Sequence, residues 1–125
     1  MIPRIGEELS MCPSTSGVKS WRAMAYSPKT SAMYIPITLN CELATFGPTE
    51  RELGGGGAGP VRRINFHQPQ SDGNLGEILA LEIPSGEVKW RYRSRAPFNT
   101  AALTTAGGLV FAGDWNRTMS ALDAD

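Results

Sequence analysis

Residues 76–93 read GEILALEIPSGEVKWRYR, and this stretch decides the fold class of the chain. Its first half is rich in leucine and isoleucine, as expected of a buried strand, and it ends at a Pro-Ser-Gly turn at residues 84–86. Its second half alternates polar and apolar residues, with Val88, Trp90 and Tyr92 on one face. The stretch therefore predicts two strands joined by a tight turn.

Short apolar segments separated by turn residues recur on both sides of this hairpin, and none of them has a helical period. They predict further strands at residues 24–27, 32–36, 101–104, 109–113 and 118–122. Residues 42–74 differ, because they contain a glycine-rich run and show no sustained period. We expect a long insertion loop there, with room for a short helix only at residues 47–53.

An internal repeat links the predicted strands. Residues 79–82 overlie residues 120–123, which matches Ala80 to Ala121 at a spacing of 41 residues. The hairpin at residues 24–36 overlies the one at 101–113, and without the insertion this second spacing is about 43 residues. A period of about 40 residues with several short strands is typical of propeller blades. A ring of about 4–8 blades needs a longer chain, so we expect this one to be a fragment.

Composition excludes several classes of function. The 12 basic and 12 acidic residues cancel, which leaves no basic surface for nucleic acid. The chain has no apolar run of about 20 residues for a membrane span and no signal peptide at its start. Cys12 and Cys41 with a single histidine are too few for a zinc cluster. From spacing alone, the two cysteines form either a disulfide or two buried thiols.

A motif in residues 80–90 adds a family resemblance. Alanine, glycine and tryptophan at its first, seventh and eleventh positions, Ala80, Gly86 and Trp90, resemble the tryptophan-docking repeat of pyrroloquinoline quinone (PQQ) dependent alcohol dehydrogenases. In that family each indole packs between adjacent blades, and a second copy begins here at Ala121. Further segments that resemble the family follow in the family's order, at residues 12–21, 24–30, 34–36, 71–76 and 105–115.

The resemblance covers about residues 10–125 and implies an all-β fold. It implies an extended segment over residues 1–20, then a partial β-propeller over 21–125, of about two four-stranded antiparallel blades with an insertion at about 42–74. The family's C-terminal propeller half is the part that the chain resembles.

The resemblance also implies oxidation of a primary alcohol, or of a related polyol or sugar, by a longer periplasmic protein. That protein would use PQQ with Ca²⁺ or a lanthanide ion, and would pass electrons to a cytochrome c or a quinone. The family's catalytic aspartate and metal ligands lie in earlier blades. We therefore expect the chain to need its remaining blades, to be inactive alone and to bind PQQ poorly by itself. The alternative is a non-enzymatic scaffold of the same repeats that binds other proteins.

The resemblance points to two candidate cofactor contacts. Asn40 lies one or two residues beyond the position at which the family has an asparagine, and the alternative is a loop residue that bonds its own backbone. Asn99 lies where the family often has Trp-Asn or Leu-Trp facing the quinone, and the alternative is a backbone cap at a strand end. Trp115 lies in a region near the family's active face, which would allow a substrate-side role, but packing is the preferred interpretation. The resemblance also implies a disulfide between Cys12 and Cys41.

Overall fold

The computed structural model describes residues 4–48 and 61–125. This part of the chain is built from strands and one short 3₁₀ turn at Pro69–Ser71. It contains no helix that is long and apolar enough to cross a membrane. The strands are β1 (Glu8–Met11), β2 (Ala25–Ser27), β3 (Ala32–Thr38), β4 (Asn40–Phe46), β5 (Val61–His67), β6 (Gly76–Glu82), β7 (Val88–Ser94), β8 (Leu103–Thr104), β9 (Leu109–Gly113) and β10 (Met119–Asp123).

The central sheet is antiparallel and has the order β2-β3-β6-β7. The chain leaves this sheet after β3 and returns to pair β6 with β3 in continuous register, from Ala32 opposite Glu82 to Thr38 opposite Gly76. The β6–β7 hairpin predicted from residues 76–93 is present, with Ala80 opposite Trp90. The prediction of two strands, an insertion and two further strands in one sheet is confirmed.

A second antiparallel sheet, with the order β8-β9-β10, packs against the first. Val110 and Ala112 alternate along β9 toward the first sheet, because successive strand residues point to opposite faces. The predicted strands in this part of the chain are confirmed to within two residues at their ends. The alanine side chains of the core let the two sheets approach closely around the rings of Tyr34 and Phe98. The core consists of Ala32, Tyr34, Ile78, Ala80, Phe98, Ala102, Val110, Ala112 and Ala124.

The insertion differs from the prediction. The expectation of a long loop over residues 42–74 is wrong for β4 and β5, which form a seven-pair antiparallel ladder from Asn40 opposite His67 to Phe46 opposite Val61. The N-terminal segment is not merely extended, because β1 pairs with β4 and completes a third sheet, β1-β4-β5. Residues 63–67 of β5 alternate polar and apolar side chains, but this short alternation follows a glycine-rich run, and six of the seven residues of the strand are exposed. Residues 49–60, with most of the glycine run and of the proposed helix, lie outside the described residues.

Two contacts attach the N-terminal segment to β4. Cys12 and Cys41 are joined by a disulfide, which is the first of the two alternatives that spacing left open. Glu42 is fully buried and accepts a hydrogen bond from the backbone N–H of Thr15 at 3.0 Å. The Nε of Arg63 lies 3.7 Å from the other oxygen of Glu42. These contacts hold residues 12–15 against β4, and the chain then continues into the candidate site.

Candidate functional site

A cavity of about 250 Å³ lies where the 16–22 segment meets the β3–β4 junction and the loops that follow β7 and β9. Backbone hydrogen bonds fix these segments, since the N–H of Thr38 donates to Val18 at 2.8 Å and that of Trp115 to Pro97 at 3.1 Å. The walls therefore come from parts of the chain that are far apart in sequence. The site depends on both the central sheet and the β8-β9-β10 sheet.

Among the described residues that line this cavity, Arg22 is the one with a charged side chain, and only 6% of it is exposed. Its Nη1 donates to Thr38 Oγ1 at 3.0 Å and its Nη2 lies 3.4 Å from Asn99 Oδ1. Its Nε is buried without a hydrogen-bond partner. No carboxylate of the described residues forms an ion pair with it. Burial lowers the pKa of Arg22, because desolvation disfavours the charged guanidinium.

No sequence pattern marks Arg22 as a buried site residue. It follows a tryptophan in a segment without periodicity, and an isolated arginine is usually exposed. Its burial results from contacts with β3 and with the loop that follows β7. Lys19 supports the same turn, because its ammonium donates to the backbone oxygens of Ser20 and Arg22.

Asn40 and Asn99 both line this cavity, so the structure brings together the two candidate cofactor contacts. Asn40 is 8% exposed, and its amide donates to Asn65 Oδ1 at 3.2 Å while its own Oδ1 is buried without a partner. Asn99 is exposed, and its side-chain oxygen faces Arg22 while its backbone N–H bonds Gly113. Among the described residues, neither side chain forms a hydrogen bond with the backbone, so neither the backbone-bonded loop residue nor the strand-end cap is observed. Their cofactor role stays a prediction.

Two indoles stand at the rim of the cavity. Trp21 is 81% exposed and Trp115 is 64% exposed, so neither is packed in the interior of this chain. The guanidinium carbon of Arg22 lies 5.4 Å from the ring centroid of Trp21. Exposed indoles beside a buried cation and two amides are suited to a flat ligand with negatively charged groups. Among the described residues there is no cluster of three or more side chains that could hold a metal ion.

The residues of the predicted tryptophan-docking motif do not line the cavity and lie elsewhere in the two sheets. The Trp90 ring stacks on Tyr34 with centroids 5.7 Å apart, and its indole nitrogen lies 3.4 Å from the backbone oxygen of Ala124. Ala80 is fully buried opposite Trp90, and Gly86 occupies the turn with a φ of 72°. Trp90 therefore contacts both sheets. Ala121 lies exposed on β10 opposite Phe111.

Comparison with curated proteins finds relatives along nearly the whole chain. A quinoprotein ethanol dehydrogenase of Pseudomonas aeruginosa is 30% identical over 119 residues, and a lanthanide-dependent methanol dehydrogenase of Methylorubrum extorquens is 28% identical over 127. Each alignment covers 95% of this chain. The chain is homologous to one segment of the quinoprotein alcohol dehydrogenases. It spans about a fifth of the length of these relatives, at 19% and 20%. No family model matches the chain.

Solved structures of quinoprotein dehydrogenases share the fold. A europium-containing methanol dehydrogenase matches with a TM-score of 0.81 at 22% identity, over 98% of this chain and 21% of that one. The quinohemoprotein alcohol dehydrogenase from Comamonas testosteroni matches with a TM-score of 0.64 at 22% identity, over 94% of this chain and 19% of that one. The central and β8-β9-β10 sheets are therefore part of a β-propeller, and the prediction of a partial propeller is confirmed.

Proposed function

We propose that this quinoprotein segment supplies one complete blade, three strands of the next and one wall of the cofactor pocket of a PQQ-dependent alcohol dehydrogenase. The main support for the proposal is the set of polar side chains that line the cavity. Asn40, which begins β4 directly after the central blade's β3, and Asn99, in the loop that leads to the next blade, meet there around the buried Arg22. Trp90 would dock the two blades against each other, since it contacts both sheets.

The cavity residues fit the chemistry of PQQ, a flat aromatic quinone that carries several carboxylates. Arg22 brings a positive charge to the cavity wall, and Asn40 and Asn99 bring side-chain amides to it. These groups suit carboxylate and carbonyl oxygens of a ligand. Trp21 and Trp115 would cover a flat ring system and limit access of water to it.

When bound, PQQ supplies the two-electron oxidation of an alcohol to an aldehyde or ketone. In this proposal the chain's own residues bind and orient the cofactor. Arg22 would hold an oxygen of the cofactor by a charge-assisted hydrogen bond, and the hydrogen bond that its Nη1 donates to Thr38 Oγ1 would fix the orientation of the guanidinium. The catalytic carboxylate and the ligands of a Ca²⁺ or lanthanide ion would come from other blades of a longer protein, since such an ion prefers clustered oxygen ligands.

The names of relatives support an electron acceptor, and the disulfide supports a cellular location. Relatives include a lupanine 17-hydroxylase and a 1-butanol dehydrogenase whose names specify cytochrome c, and another 1-butanol dehydrogenase whose name specifies quinone. A primary alcohol as substrate and a cytochrome c or quinone as acceptor are therefore part of the proposal. The disulfide between Cys12 and Cys41 favours an oxidising compartment such as the periplasm.

The proposal is tested by reading the coding sequence in frame on both sides of this segment. We expect the turn and tryptophan of the second docking motif, a Thr-Gly-Lys-x-x-Trp type sequence, after Asp125. We also expect further blades with a catalytic aspartate, an adjacent Cys-Cys pair and a signal peptide before Met1. Repeats without that aspartate and Cys-Cys pair would instead support a scaffold and would contradict the dehydrogenase proposal.

A further inference from the structure

We propose that β5 is a self-association edge, at which two copies of this chain pair their β5 strands antiparallel about a two-fold axis at Ile64. β5 has seven residues and stands at one end of the β1-β4-β5 sheet. Among the described residues, no strand pairs with its outer side. An edge strand directs backbone N–H and C=O groups outward, and these form a template for another strand. The proposal concerns this edge and does not depend on the proposed function.

The side chains of β5 also point to a partner. Ile64 is 46% exposed and Phe66 is 38% exposed. Because successive strand residues alternate between faces, both lie on the face opposite to Asn65, the β5 residue that lines the cavity. Leu43 lies opposite Ile64 on β4 and extends the apolar row across the sheet. A sheet face in water normally carries polar residues, so this row favours an apolar partner beside β5.

The arginines of β5 select one register for a second copy. Opposite residues of an antiparallel pair share a face, so a two-fold axis must lie at one residue of the strand. An axis at Arg62 or Arg63 sets two copies of that arginine directly opposite each other, which is unfavourable. An axis at Asn65 pairs only residues 63–67. An axis at Ile64 pairs all seven residues and sets no two arginines opposite each other.

In this register the opposing side chains are compatible. Ile64 lies opposite Ile64 of the second copy, so the Leu43–Ile64 rows of the two copies join into one apolar row. Arg62 lies opposite Phe66 of the second copy, where a guanidinium and an aromatic ring attract each other. The two-fold axis repeats this contact. Each β5 edge is then occupied, so the pairing closes as a dimer instead of growing into a fibre.

The stacking of further blades does not use this edge. β4 and β5 are inserted between β3 and β6 of the central sheet, and blades stack through the faces of their own sheets. One pair of short strands buries a small interface, so we expect weak association, with a dissociation constant of ~10–100 µM.

Cysteine cross-linking reads the register directly. Opposite residues of an antiparallel pair have Cβ atoms about 4.5–5.5 Å apart, close to the separation in a disulfide. Ile64→Cys is incubated with a mild oxidant at ~200 µM chain, above the expected dissociation constant. Ile83→Cys is the matched control, because Ile83 is 48% exposed and lies outside the β1-β4-β5 sheet. Peptide mapping by mass spectrometry identifies each cross-link and shows whether the disulfide between Cys12 and Cys41 is retained.

A second sample mixes Arg62→Cys chains with Phe66→Cys chains. We expect the 62–66 cross-link between copies to exceed the 62–62 and 66–66 cross-links. We also expect Ile64→Cys to form its cross-link ~10-fold faster than Ile83→Cys, because pairing raises the effective concentration of the two thiols. In sedimentation velocity, Ile64→Lys should weaken the dimer of the otherwise unchanged chain by ~10-fold or more, since a charge at an edge strand opposes pairing. Ile83→Lys should leave it unchanged.

Several results would overturn the proposal. Equal cross-linking rates at residues 64 and 83 would show only random collision, and an excess of the 62–62 cross-link would show a different register. A chain that stays monomeric at this concentration would leave β5 to a strand of another protein. A dimer that Ile64→Lys does not weaken would assign association to the exposed blade faces. None of these results contradicts the proposed cofactor wall, which the flanking coding sequence tests separately.

Discussion

Replacing Tyr34 with phenylalanine removes the hydroxyl that ties the two blades together. The ring is fully buried, and its hydroxyl donates to the backbone oxygen of Ala124 at 2.7 Å and accepts from Thr30 Oγ1 at 2.6 Å. Ala124 keeps a longer contact from the Trp90 indole at 3.4 Å, so its oxygen is only partly deprived. We therefore expect a loss of ~1.5 kcal/mol, within the usual range for one buried hydrogen-bond group.

Thermal unfolding followed by circular dichroism measures this loss. For a chain of this size a change of ~1.5 kcal/mol corresponds to a decrease in Tm of about 4–8 °C. Tyr26→Phe is the matched control, because Tyr26 is 49% exposed and its hydroxyl is accessible to water. Equal midpoints for the two variants would show that the Tyr34 hydroxyl does not hold the blades together. The reasoning about the interface between the sheets would then be wrong.

Three further predictions concern packing, charge and activity. Gly76→Ala should lower the free energy of unfolding by ~2–3 kcal/mol in urea, because the new methyl group would lie 2.5 Å from a backbone oxygen of the loop after β7. Gly107→Ala is the control and should be nearly neutral. Equal urea midpoints for the two variants would refute the close approach at Gly76. Glu77→Gln should lower the free energy of unfolding by ~1–2 kcal/mol, since the buried carboxylate accepts hydrogen bonds from the half-exposed Arg91 and Arg93 at 2.9 and 2.8 Å. High salt should reduce the difference in stability between this variant and the unchanged chain. The 125-residue chain with added PQQ and Ca²⁺ should show no alcohol-dependent dye reduction, and turnover above a PQQ-only control would contradict the need for other blades.

The blade strands could be predicted because their pattern is local. Alternation at Val88, Trp90 and Tyr92 and the Pro-Ser-Gly turn before them are visible within a few residues. The repeat spacing then supplied the blade order, and the resemblance supplied Asn40 and Asn99, which share one cavity in the structure. By contrast, the alternation in β5 is confined to residues 63–67 beside a glycine-rich run, and its ladder with β4 joins segments that are separated along the chain.

The class of fold, the blade strands and the family resemblance could be read from the residues alone, since they depend on residue types at short or regular spacing. The pairing of Cys12 with Cys41 and the burial of Arg22 became visible only in the folded chain. Arg22 meets Thr38 and Asn99 only after the sheet forms and the next blade begins. Burial and hydrogen bonding of one side chain depend on contacts between distant segments, and a local pattern of residues does not encode them.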